Sequence, residues 1–245
     1  MEEKLRSISK RIHWSLALRA AVFAGAWLVL PYWLFFLIAL WLYAVPAFQG
    51  GQTRRLAVPF FVLLAVSFFE AQGALAAVIF GAIFYLILLI RALIVIDRRS
   101  AYEFLVLMLS FLLLREFYTA WNGGPFTGAV MWWVIPAAGT LALLLRSYLR
   151  YFDEDIAVPD AGARAVARAS VWLSFLLFWQ VMIAALFLPL DFVYQTVVAF
   201  LASTLIIELV PAHLMGGVAR EKLLTAATAV FALLVITLAS ARWGM

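Results

Sequence analysis

The chain has 245 residues, of which 67% are hydrophobic and 13% charged, against roughly 45–50% and about 25% in soluble domains. A single water-surrounded core cannot hide that excess of apolar surface, so a soluble globular fold is excluded and a lipid-embedded one is expected. Basic side chains outnumber acidic ones by 18 to 13, yet they sit in short stretches between apolar runs rather than in one patch, so no nucleic-acid partner is expected.

A helix needs about 20 apolar residues to cross a ~30 Å hydrocarbon core. Runs of this kind lie at 12–30, 32–48, 56–71, 74–96, 102–121, 126–147, 168–188, 191–211 and 222–241. They predict an all-α, polytopic transmembrane helical bundle of about nine spans. Solid Leu-, Ala- and Phe-rich runs exclude a membrane barrel, whose strands alternate apolar and polar residues.

Residues 12–48 form one apolar run interrupted only by Arg19 and Pro31. A single straight helix there would exceed ~50 Å, and Pro31 favours a break at the residue before it. Ala24-Gly25-Ala26 has the form of a signal-peptide cleavage site, but apolar residues continue directly after it, so the first span is expected to be retained. Residues 56–96 are also too long for one span, and Glu70-Ala71-Gln72-Gly73 is the polar turn that divides them. The fifth span carries Arg115 and Glu116, about six residues or ~9 Å from its outer end. Asn122-Gly123-Gly124-Pro125 follows as a turn. Pro46, Pro59 and Pro136 are candidate kinks. Residues 151–168, with Asp153-Glu154-Asp155, Pro159 and Gly162, read as a cytoplasmic linker between a six-helix part and a three-helix part of one membrane domain. The second half of this linker, Ala161–Arg168, reads as a surface helix leading into the next span. In the eighth span Pro211 is expected to break the helix between Glu208 and His213.

With the N-terminus inside, all 18 basic residues except Arg115 and Arg242 fall on the cytoplasmic side. This positive-inside bias supports nine crossings, N-terminus cytoplasmic and C-terminus outside, and a multi-pass protein of the cell membrane. Trp14 and Trp172 fall near the inner interface, and Trp27, Trp33, Trp121 and Trp243 near the outer one, as aromatic belts require.

Charge inside a span is costly and marks candidate sites. Glu70, Arg115, Glu116, Tyr118 and Asn122 form a candidate polar cluster in the outer leaflet, in which a Glu70–Arg115 pair would neutralise two costly charges. Arg115 and Glu116, being adjacent, point about 100° apart and are not expected to face each other. Their plainer reading is an arginine that snorkels to lipid phosphates beside carboxylates in interfacial water. Glu208 and Arg91 form a candidate inner charge pair, with Arg146 as the other possible partner of Glu208. Ser67, Ser110, Gln180, Thr196, Ser203, Thr204 and Thr228 are the sparse mid-membrane polar groups. Gln180 is the deepest, and most are expected to bond between helices.

His13 and His213 are the only histidines, and no P-loop, dinucleotide fingerprint, HExxH or GxSxG occurs. No metal, cofactor or catalytic group is therefore expected. Three functions remain. The first is a carrier or lipid-handling protein for a hydrophobic or amphiphilic molecule, motivated by the outer polar cluster. The second is a non-catalytic subunit or scaffold, packed against a membrane-protein partner or another copy of itself. The third is an intramembrane lipid-modifying enzyme using Glu70, Glu116 and Asp191 as bases. Membrane lipids are expected partners in each.

Overall fold

A computed structural model describes residues 14–44, 55–92, 98–121, 128–152, 161–214 and 220–241. Among them are nine α-helices and no strand. In chain order these are α1 (Trp14–Val29), α2 (Tyr32–Ala44), α3 (Ala57–Phe69), α4 (Ala74–Arg91), α5 (Arg98–Ala120), α6 (Gly128–Phe152), α7 (Ala161–Phe187), α8 (Phe192–Leu214) and α9 (Arg220–Ser240). Each predicted apolar run meets one helix. Four segments are long and apolar enough to cross a membrane: Ala74–Arg91, Trp132–Tyr151, Arg168–Phe187 and Phe192–Val210.

Both expected breaks are present. Leu30 and Pro31 separate α1 from α2, and Glu70–Gly73 separates α3 from α4. Other expectations need correction. Pro59 lies in the first turn of α3, where its missing N–H removes no helical bond. Pro211 does not end α8, which runs on to Leu214; membrane helices tolerate an internal proline when neighbouring groups satisfy the freed carbonyl. Pro136 lies inside α6, and the Thr140 hydroxyl donates to its carbonyl at 2.8 Å. Helix α7 begins at Ala161 and passes without interruption into the apolar run. Pro46 and residues 153–160 lie outside the described residues.

The chain divides into two compact units, Met1–Leu105 and Val106–Met245. In the first, α1 packs along α4, with α2 against α1 and α3 against α4. The α1–α4 contact uses small residues, Ala20 and Ala24 of α1 facing Gly81 of α4, and an added Cβ on Gly81 would lie 3.0 Å from the Ala24 Cβ. Small residues let helix backbones approach in lipid, where packing rather than water drives association. Around this contact lies an aromatic core. Phe23 stacks on Phe84 at 4.3 Å and meets Phe35 edge-on at 5.1 Å. Trp27 meets Phe80 edge-on at 5.0 Å, and Tyr43 stacks on Phe60 at 4.1 Å.

Trp27 departs from the sequence expectation. It is fully buried rather than part of an interfacial belt. Its indole N–H donates to the Ser67 carbonyl at 2.9 Å, and its own carbonyl accepts from the Gln72 amide at 2.9 Å. With the Tyr32 hydroxyl donating to the Glu70 carbonyl at 3.3 Å, these bonds fasten the 30–31 and 70–73 turns together at one end of the unit.

In the second unit α7 lies between α6 and α8, and α9 packs on α8. Its buried face carries Ser174, Phe178, Met182 and Ala185. The Phe111 and Phe200 rings join α5 to α8 at 5.3 Å. The turn between α7 and α8 is closed by the Gln195 amide, which donates to the Leu188 carbonyl at 3.1 Å.

Gly81→Leu is expected to force α1 and α4 apart at a cost of about 1–3 kcal/mol and to lower the thermal unfolding midpoint in detergent. Leu75→Ala, at a 76% exposed position of the same helix, is expected to leave that midpoint unchanged.

Candidate functional site

At the end of the first unit opposite the fastened turns, α4 finishes on Arg91. Its side chain is only 4% exposed. It turns back onto the end of α2, where Nη1 donates to the Tyr43 carbonyl and the guanidinium lies 5.4 Å from the centre of the Tyr43 ring. The carbonyls at a helix C-terminus carry partial negative charge, so a cation there is favoured, and the ring face adds a second attraction. Among the described residues those contacts leave Nη2 buried with no hydrogen-bond partner. Arg19 of α1 is near enough to act on Arg91 as a like charge, which makes the burial more costly. Arginine has five N–H donors in a fixed fork, and among the described residues part of that fork is unused.

The sequence marked Arg91 through its position at the end of an apolar run. It did not show Tyr43 as its neighbour, because that contact joins residues 48 apart and nothing in Tyr43's own surroundings signals it. Glu208, the other half of the expected inner pair, lies half-buried on α8 in the second unit, whereas Arg91 belongs to the first.

The outer cluster is divided in the same way. Glu70 belongs to the first unit, where it terminates α3 and its carbonyl accepts from Tyr32. Arg115, Glu116 and Tyr118 belong to the second, and Asn122 lies outside the described residues. Arg115 and Glu116 do meet, contrary to expectation. Arg115 Nη1 lies 3.3 Å from Glu116 Oε1, because the long arginine chain bends across the angle between neighbouring helical positions. The arginine side chain is 42% exposed and the glutamate 14%. Tyr118 is fully buried, and its hydroxyl donates to the Met182 carbonyl at 3.0 Å. That bond ties α5 to α7, so Tyr118 serves packing within the unit.

The mid-span hydroxyls also differ from expectation. Ser67, Thr196 and Thr204 bond to carbonyls of their own helices, at Leu64, Phe192 and Phe200 respectively. Helical Ser and Thr reach the preceding turn more readily than a neighbouring helix. Ser110 and Ser203 are fully buried, and among the described residues their hydroxyls have no partner. Gln180 is exposed on α7. Among the described residues no three His, Asp or Glu side chains gather into a metal-binding group.

Tyr118→Phe is expected to cost about 0.5–1.5 kcal/mol, the usual worth of one hydrogen bond, measured by unfolding in detergent. A double-mutant cycle on Arg115 and Glu116 is expected to return less than about 1 kcal/mol of coupling, since exposure weakens the pair. Comparison with family models, with curated proteins and with solved structures returns no match.

Proposed function

We propose that the chain is a multi-pass integral protein of the cell membrane that carries or otherwise handles an anionic amphiphile. The observation that supports this most directly is the guanidinium of Arg91, whose Nη2 is buried without a partner among the described residues. A buried cation with an unused donor and a second arginine nearby is costly to keep, and a phosphate or carboxylate head group would complete its fork. Arg115 supplies a second cationic point, on the side of the chain read as outer, already matched by Glu116. In this reading the nine helices cross the bilayer with the N-terminus in the cytoplasm and the C-terminus outside. Four apolar helices of sufficient length and the distribution of arginine and lysine between the runs support that arrangement.

A subunit or scaffold role is the second reading. It is favoured by α7, whose candidate span is only 22% buried in the chain itself.

The chain has no cysteine, which makes its topology open to single-cysteine labelling. An impermeant thiol reagent applied to intact cells is expected to label Gly123→Cys and to spare Ser100→Cys and Asp160→Cys. Labelling of Ser100→Cys would refute the arrangement. For the activity, native mass spectrometry after gentle extraction is expected to show retained anionic lipid on the wild type, less on Arg91→Lys and none on Arg91→Ala, at equal membrane abundance. Equal loss of abundance in Arg91→Ala and Glu208→Gln, with lipid retention unchanged, would instead make Arg91 half of a structural ion pair.

A further inference from the structure

Helix α7 has two contrasting faces. One packs against its neighbours through Ser174, Phe178, Met182 and Ala185. The other presents Ala169, Leu173, Leu176, Gln180, Ala184 and Phe187, all exposed. These six residues recur at intervals of three and four, the spacing of a seam along which two helices wind around each other. A stripe of this kind made only of aliphatic groups would be a plain lipid-facing surface. Gln180 makes it something else. It lies seven residues before the end of the helix at Phe187, ~10 Å inside that end, and its amide makes no hydrogen bond among the described residues. In hydrocarbon an amide without partners is costly, and a glutamine side chain bonds readily to a polar group on a facing helix.

We propose that this face of α7 is the interface of a homodimer in which Gln180 of one copy bonds Gln180 of the other. The inference rests on the chain being a membrane protein and is independent of what it carries. Three considerations select a second copy as the occupant. A primary amide is both donor and acceptor, so it is its own complement. Copies inserted with one topology are related by an axis along the membrane normal, which brings the same residue of each copy to the same depth and makes the contact isologous. The small Ala169 and Ala184 near the two ends of the stripe allow close approach of the helices, while Leu173 and Leu176, 57% and 48% exposed, supply the apolar contact between them.

The experiment uses the full-length chain in mild detergent and in liposomes of defined lipid density. Native mass spectrometry of the wild type is expected to show a dimer. Gln180→Leu, which makes the face more apolar yet removes the amide, is expected to weaken dimerisation roughly tenfold, as loss of two interhelical bonds implies. Gln180→Asn is expected to restore part of it. In membranes, mild oxidation is expected to cross-link Ala184→Cys to its copy and to leave Phe231→Cys, on the exposed side of α9, uncross-linked. A wild type that stays monomeric at every lipid density overturns the proposal. So does a dimer undiminished by Gln180→Leu, or a different protein bound at α7 in place of the second copy. Failure of the topology labelling would overturn the membrane arrangement itself, and is read separately from these outcomes.

Discussion

The first unit depends on a place where a side chain is missing. Gly81 lets α1 and α4 approach until a single added carbon would sit 3.0 Å from Ala24. In lipid, the apolar surfaces of two helices gain little from being hidden, because the surroundings are equally apolar. What distinguishes the native arrangement is close contact and the hydrogen bonds that close contact permits. Once α1 and α4 lie side by side, Phe23 reaches Phe84, Trp27 reaches Phe80, and the turns at the end of each helix come within bonding range. The aromatic core and the fastened turns are thus consequences of one short interhelical distance.

Polar groups in the two units are used differently. In the first, the side chains of Trp27, Gln72 and Tyr32 bond to main-chain carbonyls of other helices or turns, and Arg91 does the same at the opposite end. Main-chain carbonyls at helix ends are the groups that a helix cannot satisfy by itself, so these side chains spend their polarity where the backbone needs it. In the second unit Tyr118 and Tyr194 bond to carbonyls of other helices, at Met182 and Ser240, and Gln195 to the turn before α8, whereas Ser174, Thr196 and Thr204 bond within their own helix.

The helices were legible in the sequence because apolar run length is a property of consecutive residues. Pro31 and the Glu70–Gly73 turn were legible because each is a local break in a run too long for one crossing. Side-chain direction was not. For Trp27 and Gln180 only depth can be read from the sequence, and depth does not say which side of a helix faces a neighbour. The helices carry almost no amphipathic signal, since both lipid and core favour apolar groups, so the tryptophan proved buried and the glutamine exposed. Arg115 and Glu116 misled for a different reason. The angle between adjacent positions is fixed, but two long flexible side chains can bridge it. For Arg91 the charge and the position could be read, whereas its ring and carbonyl partners lie on a separate helix and required the fold.

Helix α3 is bounded on both sides, by Leu56 and Glu70, and has 13 residues, a length of ~20 Å against a hydrocarbon thickness of ~30 Å. Much of it is enclosed, including Phe60, Leu63, Val66 and Ser67, so within the assembled bundle its length need not match that of the lipid tails. During synthesis that shelter does not yet exist. A segment this short is a weak stop for the insertion machinery on its own, whereas α4, at 18 residues, is long enough to be held. In the nine-span arrangement proposed above, the tight turn between them would make the pair enter as a single re-entering loop of chain, with α4, made later, committing α3 to the bilayer.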